Sequence, residues 1–440
     1  MFTSARSSWS AILFVLFVRV LSILIEAPSG SLDIDQCGAP KAVQTADGSH
    51  EPAAVVATPR RYRPGSTLLR GLRTAYVTYD RRSEAASGNR ASGHFGGGNV
   101  VIRAAIVGLG WWGKTLVESV RDGRDIRFVA GATRTPSPEI RDFAKAQGFD
   151  LRESYEDLLR SPDVDTVVLA TPHSMHVPQI VAAARARKHV FCEKPFALTK
   201  ADAEKAVAAT QKAGVTLGLG YNRRFHPTMT DLRERVKTGA LGTILHFEGT
   251  MTFPNALSLK PGQWRASRAE TPCGGLTPMG VHFIDAAIDL FGAVDEVFCT
   301  SFRRAVQIDA DDTTSILFRM KDGMSAYLGT MTATAGTFRL QVYGSNGWIR
   351  IDGMTHVAGA SSEERRNRLF GNCTFQPIKG AAETWQAETY DVSRAALEAF
   401  ARAAEGGPTY PISLDEMVHG AAVTEAIVKS ATSGKKEKVA

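Results

Sequence analysis

VIRAAIVGLGWWG, residues 101–113, is the stretch of this sequence that decides the fold. The unbroken apolar run over 101–107 is typical of a strand that is buried on both faces of a sheet. Gly108, Gly110 and Gly113 follow with GxGxxG spacing, and a helical pattern begins directly after them. In that context the three glycines make a tight turn, admit a pyrophosphate to the backbone, and let helix and strand pack closely. The stretch therefore predicts a dinucleotide-binding turn.

The same alternation of strand and helix continues to about residue 221. Because the predicted strands are separated by helical segments, they are expected to form a parallel, doubly wound (Rossmann) sheet. The strands are expected at 126–132, 165–171, 189–192 and 215–220, and the helices at 138–147, 155–159, 177–187 and 200–213.

The end of the second predicted strand bears on the choice of cofactor. A chain that reads the 2′-hydroxyl of NAD places an Asp or Glu about 20 residues after the glycines. This chain has Thr133 and Arg134 there, and an arginine can pair with a 2′-phosphate. The sequence therefore favours NADP over NAD, with the alternative that Arg134 is a solvated loop residue.

Charge and cysteine content narrow the function classes. Of the net charge of +7, residues 1–99 carry +4 and the remaining 341 residues carry +3, without a basic stripe, so nucleic-acid binding is not expected. An odd number of scattered cysteines without CxxC spacing predicts reduced thiols in a cytoplasmic protein, and neither a disulfide framework nor a zinc site. They are Cys37, Cys192, Cys273, Cys299 and Cys373. No metal site is predicted.

Residues 1–99 differ in character from the rest of the chain. The hydrophobic run at 11–25 contains Arg19 and is shorter than the roughly 20 residues of a spanning helix. If residues 1–30 are genuine, this run is an export signal or a poor membrane anchor. The following segment, rich in Ala, Ser, Arg, Pro and Gly, predicts disorder. Our hypothesis is that the leader is a gene-start artefact and that the natural start is Val100 or Val101.

Three further strings carry a family resemblance: ATPHSMH (170–176), HVFCEKPFAL (189–198) and GYNRRFHP (220–227). Together with GLGWWG (108–113) and GVHFID (280–285), in this order, they resemble the Gfo/Idh/MocA oxidoreductases. That family is named for glucose–fructose oxidoreductase, inositol dehydrogenase and a rhizopine-catabolism protein. The resemblance extends from about Val101 to the C-terminus.

The resemblance implies a Rossmann domain over 100–221, followed over 222–440 by an α/β domain with a large, open, mainly antiparallel sheet. The sequence agrees, since strands are expected at 243–253, 313–320, 324–334, 338–344 and 348–353, and KDG (321–323) and SNG (345–347) provide hairpin turns. In relatives the open face of the sheet pairs with another subunit, so a homo-oligomer, a dimer or tetramer, is expected. A C-terminal amphipathic helix is expected at 412–431, with KKEK after it as a solvated tail.

In this family the lysine of EKP lies beside the nicotinamide, which implies that Lys194 is catalytic and contacts both cofactor and substrate. A buried lysine has a lowered pKa and can relay the proton that an alcohol loses on oxidation. Further cofactor contacts are implied for His176, which could instead cap the following helix. The other residues implied in cofactor contacts are Trp111, Trp112, Thr171, Pro172 and Glu193.

The segment around His282 matches the family only in part. Relatives commonly have Asp-x-Gly-x-His, and this chain has Pro278 in place of the Asp, which cannot transfer a proton. His282 is the expected general base and a substrate contact, since imidazole titrates near neutral pH. Thr277 is expected to cap a helix whose first residue is Pro278. Asp285 either orients the imidazole or is an ordinary exposed carboxylate.

Polar residues near the same predicted cleft are candidates for substrate binding. Asn222 and either Arg223 or Arg224 could hold hydroxyls or a carboxylate, with ion pairing as the alternative for the arginines. Trp264 and Arg265 could line the pocket, with a packing role favoured for the tryptophan. Three functions follow: an NAD(P)-dependent dehydrogenase of a sugar, inositol or polyol; a redox-neutral enzyme using bound nicotinamide for elimination or glycoside cleavage; and a cofactor-binding sensor without activity.

Overall fold

A computed structural model of the chain describes residues 101–353, 361–367 and 369–440. Residues 1–100 lie outside the described residues. The predictions for the hydrophobic run at 11–25 and for a start at Val100 or Val101 are therefore not tested by the structure. Within the described ranges no helix is both long enough and apolar enough to cross a membrane.

The first sheet has six parallel strands in the order β3–β2–β1–β4–β5–β6, which confirms the predicted doubly wound fold. Its four central strands are almost entirely buried, as the apolar run of β1 predicts. The strands are β1 (Ile102–Val107), β2 (Ile126–Ala132), β3 (Asp150–Leu151), β4 (Thr166–Leu169), β5 (His189–Cys192) and β6 (Leu217–Leu219).

Five helices connect these strands, and local capping chemistry sets several of their ends. Ser137 accepts a hydrogen bond from the backbone of Ile140, and Ser154 forms a capping box with Asp157. Gly214 ends the last of the five in the left-handed conformation. The helices are α1 (Trp111–Ser119), α2 (Pro138–Gln147), α3 (Tyr155–Arg160), α4 (His176–Arg185) and α5 (Lys200–Ala213).

The second sheet has nine strands in the order β14–β13–β12–β11–β7–β10–β9–β8–β15 and is mainly antiparallel, as expected. Among these strands the β7–β10 pair is parallel, and the other pairs are antiparallel. The strands are β7 (Ile244–Thr252), β8 (Val294–Phe302), β9 (Thr313–Met320), β10 (Ser325–Met331), β11 (Thr337–Gly344), β12 (Gly347–Gly353), β13 (Phe370–Pro377), β14 (Glu383–Gln386) and β15 (Glu437–Lys438).

The sequence analysis did not predict four of these strands, β8, β13, β14 and β15. The segment 435–438 was expected to be a solvated tail, and this was wrong, because Glu437 and Lys438 pair with Val297 and Glu296 of β8. An edge strand of two polar residues has no periodicity of its own. Its existence depends on the neighbouring strand that offers unpaired backbone groups.

Five helices accompany the second sheet, and one of them returns to the first. The ring of Phe400, on the helix Val392–Ala404, lies 5.6 Å from that of Phe191 on β5. The Tyr410 hydroxyl donates a 2.8 Å hydrogen bond to the Leu219 carbonyl of β6. The C-terminal part of the chain therefore covers the parallel sheet. The helices are α6 (Pro227–Lys237), α7 (Val281–Phe291), α8 (Ser362–Asn367), α9 (Val392–Ala404) and α10 (Leu414–Ser433).

A buried ion network fixes the segment that follows β6. Arg224 lies in a short 3₁₀ helix, Asn222–Phe225, and its side chain is 4% exposed. Its guanidinium contacts Asp285 Oδ1 at 2.6 Å, Glu416 Oε1 at 2.8 Å and Asp289 Oδ1 at 3.6 Å. The alternative that Asp285 is an exposed carboxylate was wrong, since the residue is 4% exposed. Burial raises the pKa of Asp285 to about 7, and Arg224 opposes that rise.

We expect Arg224→Met to lower the free energy of unfolding by about 3–5 kcal/mol, because it leaves buried carboxylates without their counter-charge. The matched control is Arg223→Met at the preceding residue. Within the described part of the chain, Arg223 forms no ion pair with a carboxylate, so its loss should not lower stability. Urea denaturation followed by circular dichroism measures both variants, and equal stability of the two would contradict this role of Arg224.

Candidate active site

The glycine turn after β1 has the shape of a phosphate cradle. Gly108 has φ +96°, and a Cβ there would lie 2.5 Å from the Ala170 carbonyl oxygen. A Cβ on Gly113 would lie 2.0 Å from the Gly108 carbonyl oxygen, so helix and strand are in close contact. A Cβ on Gly110 would meet nothing within 4 Å. The open space therefore lies at the glycine where a pyrophosphate must approach, and α1 begins directly after it with its amides available.

Several side chains around the turn and at the end of β2 are accessible to solvent. Trp111 is 47% exposed and packs edge to face with Trp112 at a centroid distance of 5.2 Å. At the end of β2, Thr133 is half-buried and Arg134 is exposed. The end of β2 thus offers a cation, rather than a carboxylate, to the ribose end of a cofactor.

Lys194 is partly buried where β5 ends, and its peptide bond to Pro195 is cis. Its ammonium donates a 2.9 Å hydrogen bond to the carbonyl oxygen of Pro278. Burial lowers the pKa of Lys194 to about 8, the carboxylate of Glu193 opposes this shift, and the cations Arg223 and Arg265 add to it. A substantial fraction of the amine is therefore neutral near physiological pH, as proton transfer requires.

Glu193 lies next to this lysine as a buried carboxyl group. A Cβ on Gly220 would lie 2.7 Å from its Oε1, so the carboxyl group is packed against the end of β6. Burial raises its pKa, and Lys194 opposes that rise. Its position makes Glu193 the counter-charge of the catalytic candidate.

The segment that carries Pro278 and His282 folds differently from the prediction. The expected cap at Thr277 with Pro278 as the first helical residue was wrong: α7 begins at Val281 after Gly280, and residues 277–280 form turns. This geometry turns the Pro278 carbonyl toward Lys194. His282, 8% exposed, lies edge to face with Tyr221 at 6.2 Å, directly after β6. Lys194 and His282 are thus held at the same edge of the parallel sheet.

His176 has neither of the two roles expected from the sequence. Its ring is completely buried, with Nδ1 2.8 Å from the Pro195 carbonyl oxygen and Nε2 3.1 Å from that of Thr171. Met175 is the N-cap of α4, and no side chain caps it. His176 therefore connects the loop after β4 to the loop after β5. Thr171 and Pro172 of that first loop are partly exposed.

The candidate substrate residues separate into two groups. Asn222 is 8% exposed and donates a 3.3 Å hydrogen bond to the Ser393 hydroxyl of α9, so its amide is used inside the protein. The guanidinium of Arg224 is paired with carboxylates in the buried ion network. Arg223 instead lies over the Phe338 ring at 4.9 Å, and Arg265 lies over the Trp264 ring at 4.1 Å.

His173 was not among the residues predicted from the sequence, and it lies beside Trp264. Its ring packs edge to face against Trp264 at 5.0 Å, and its Nδ1 lies 2.7 Å from the Glu270 carbonyl oxygen. Burial lowers its pKa to about 3, so the imidazole is neutral. The available signal was its position just after a parallel strand, where ligands bind in such sheets.

No group of three or more His, Cys, Asp or Glu side chains within the described ranges is arranged to hold a metal ion.

Two family profiles match this chain. The first, an oxidoreductase family with an NAD-binding Rossmann fold, matches residues 102–221, and the second, the GFO/IDH/MocA C-terminal domain, matches residues 229–350. Together they cover more than half of the chain. The chain belongs to the Gfo/Idh/MocA oxidoreductase family, which confirms the resemblance. It is an NAD(P)-dependent oxidoreductase that acts on CH–OH groups.

Several relatives of this chain are named as enzymes of inositols or aldoses. The chain is 27% identical to the myo-inositol 2-dehydrogenase of Thermotoga maritima, over 61% of this chain and 80% of that enzyme. It is 26% identical to the scyllo-inositol 2-dehydrogenase (NADP(+)) of Bacillus subtilis, over 61% of this chain and 81% of that enzyme. The crystal structure of aldose-aldose oxidoreductase from Caulobacter crescentus, complexed with glycerol, aligns with a TM-score of 0.68 at 26% identity, covering 77% and 100% of the two chains.

We expect Gly110→Ala to weaken cofactor binding and Gly113→Ala to weaken the fold. The first places a methyl group in open space, so stability is kept while the dissociation constant for NADP rises about tenfold or more, since a lost phosphate contact costs about 1.5–3 kcal/mol. The second drives a methyl group into the Gly108 carbonyl and should lower the melting temperature. Thermal melts and fluorescence titration with NADPH measure both. Unchanged NADPH affinity in the folded Gly110→Ala variant would refute the cradle.

Proposed function

We propose that this chain oxidises a secondary hydroxyl group of a sugar, an inositol or a related polyol, with Lys194 and His282 handling the proton. The observation that carries the proposal is the buried Lys194 ammonium, with its lowered pKa, at the edge of the sheet that also holds His282. The names of the inositol dehydrogenases that the chain resembles support the substrate class.

The residues divide the chemical work as follows. A nicotinamide cofactor held at the glycine turn would supply the hydride acceptor, and oxidation of the alcohol to a ketone would then leave one proton for the protein to accept. The neutral Lys194 amine accepts that proton from the hydroxyl, and the Pro278 carbonyl orients the amine without being able to take the proton on. His282, in the first turn of α7, is the second group that carries the proton.

NADP is the preferred cofactor in this proposal. Arg134 is exposed at the end of β2, where NAD-dependent chains use a carboxylate for the ribose 2′-hydroxyl. A guanidinium there is free to form charge-assisted hydrogen bonds with a 2′-phosphate. The NADP-dependent relative from Bacillus subtilis is in keeping with this choice.

We expect Arg134→Ala to weaken NADPH binding about 10- to 100-fold and to leave NADH binding unchanged, because one charge-assisted hydrogen bond is worth about 1.5–3 kcal/mol. Arg127→Ala is the matched control, since Arg127 is also exposed and lies nearer the start of the same strand. Fluorescence titration with both cofactors gives the ratio. An equal loss for NADPH and NADH would show that Arg134 does not read the phosphate.

A substrate screen that follows both nicotinamide absorbance and product formation tests the proposed function. Net reduction of NADP with an inositol, aldose or alditol supports the dehydrogenase. Product without net reduction identifies the redox-neutral enzyme, for which the replacement of the family's Asp by Pro278 is the motivating observation. Cofactor binding without turnover on any of these compounds identifies a sensor.

We expect Lys194→Ala to lower kcat about 10²- to 10⁴-fold while the dissociation constant for NADP stays within about tenfold. In the wild type, kcat/KM for oxidation should rise with pH and level off above about pH 8, because the neutral amine is the proton acceptor. Lys205→Ala, at an exposed position on α5, is the control. A wild-type rate in Lys194→Ala would refute the site.

The open face of the nine-stranded sheet supports the proposal of a homo-oligomer, a dimer or tetramer. Leu317 is 53% exposed there, and Tyr327 shares its register row. Tyr343 and Trp348 face the same side in the next row. Size-exclusion chromatography with light scattering gives the subunit number, and a monomer at micromolar concentration would exclude this use of the face.

A further inference from the structure

We name Lys194, Arg223 and Arg265 the cationic cluster. Lys194 follows β5, and Arg223 follows β6, which pairs with β5. Arg265 lies over the Trp264 ring, which packs at 5.0 Å against His173 in the loop after β4, the other neighbour of β5. The charges of both arginines act on Lys194, and those of Lys194 and Arg265 act on His173. The three cations come from the end of β5, the end of β6 and the loop that precedes Gly274. They therefore converge from distant parts of the chain.

The two arginines of the cluster have apolar and aromatic neighbours instead of carboxylates. Arg223 donates toward Met251 Sδ at 3.5 Å and lies over Phe338, while Arg265 lies over Trp264. Within the described ranges neither forms an ion pair with Asp or Glu, in contrast to Arg224 and Arg268. Burial lowers the pKa of both arginines.

The nearby carboxylates are already engaged. Glu193 balances Lys194, and Glu270 accepts hydrogen bonds from the backbone and the hydroxyl of Ser174. The hydrogen-bond partner of Lys194 in this loop is the Pro278 carbonyl, which supplies only a partial charge. The chain thus keeps two partly buried guanidinium groups without a carboxylate partner among the described residues.

A buried cation is costly unless a counter-charge compensates it. Aromatic faces hold the guanidinium planes but leave their N–H edges to be satisfied by an acceptor. The acceptor that best matches a planar guanidinium is a carboxylate, which can take two parallel hydrogen bonds.

We propose that the substrate is a polyhydroxylated carboxylic acid, such as a uronate or an aldonate, whose carboxylate is bound by Arg223 and Arg265 while Lys194 takes the hydroxyl proton. This assignment deepens the proposed function and rests on it. The reaction stays balanced as before: the hydride goes to the oxidised nicotinamide, the hydroxyl proton to the amine, and the carboxylate is unchanged.

The test is a panel of matched substrates assayed with the full chain and NADP: glucuronate against glucose, gluconate against glucitol, and glucose 6-phosphate as the phosphate arm. We expect kcat/KM for the acids to exceed that of their neutral partners by about 100-fold or more, since two charge-assisted contacts are added. Neutral sugars oxidised as well as the acids overturn the inference. Preference for the phosphate over both overturns the carboxylate assignment.

The variants Arg223→Met and Arg265→Met should each raise KM for the acid about 10- to 100-fold and KM for the neutral partner much less. Because both arginines also lower the pKa of Lys194, the KM values are compared on the high-pH plateau of the rate. Arg268→Met is the matched control, because Arg268 lies in the same loop and is paired with Asp311 at 2.8 Å. Melting curves establish that each variant is folded. Retained acid preference in both folded variants would remove the arginines from substrate binding.

The panel separates failure of this inference from failure of the proposed function. Turnover of neutral polyols without acid preference leaves the dehydrogenase standing and removes the acid. If no compound is oxidised, the proposed function fails, and calorimetric titration of glucuronate into the NADPH-loaded protein decides the inference. Absence of binding at millimolar glucuronate then overturns it, and binding that Arg223→Met abolishes supports it.

Discussion

The hydrogen bond from the Lys194 ammonium to the Pro278 carbonyl connects residues that are 84 positions apart. It joins the end of a parallel strand to the loop before α7, and so brings the nucleotide-binding sheet and the polar face of α7 to one edge. The ammonium is buried by this arrangement, and burial is what lowers its pKa into the range useful for proton transfer.

The distribution of buried charge shows how the structure divides its basic residues between stability and binding. Arg224 is surrounded by carboxylates from α7 and α10 and holds these helices to the segment after β6. Arg223, one residue earlier, points to Met251 and Phe338 and stays without such compensation among the described residues. Consecutive side chains point in different directions on a short 3₁₀ helix, so adjacent arginines enter different environments. The uncompensated one faces the same region as Lys194.

Membership of the Gfo/Idh/MocA family defines the reaction class, and the departures of this chain from the family pattern bear on the substrate. A proline where relatives commonly have an acid leaves the lysine with a carbonyl as hydrogen-bond partner. One side chain fewer is then able to accept the proton, and the net charge of the site is more positive than with an acid at this position. Both consequences follow from one residue, and together they support the proposal that the substrate is an acid.

The sequence by itself determined those features that local periodicity and backbone chemistry encode. The glycine spacing and the apolar runs predicted the parallel sheet and its five helices, and hairpin turns indicated much of the second sheet. It also placed Lys194 and His282 in one site through the family resemblance. Only the tertiary structure decided which arginine is paired, that His176 is enclosed between two carbonyls, that α7 begins after Pro278, and that the last residues complete a sheet. The reason is that a hydrogen-bond or charge partner lies far away in the chain, and local pattern carries no record of it.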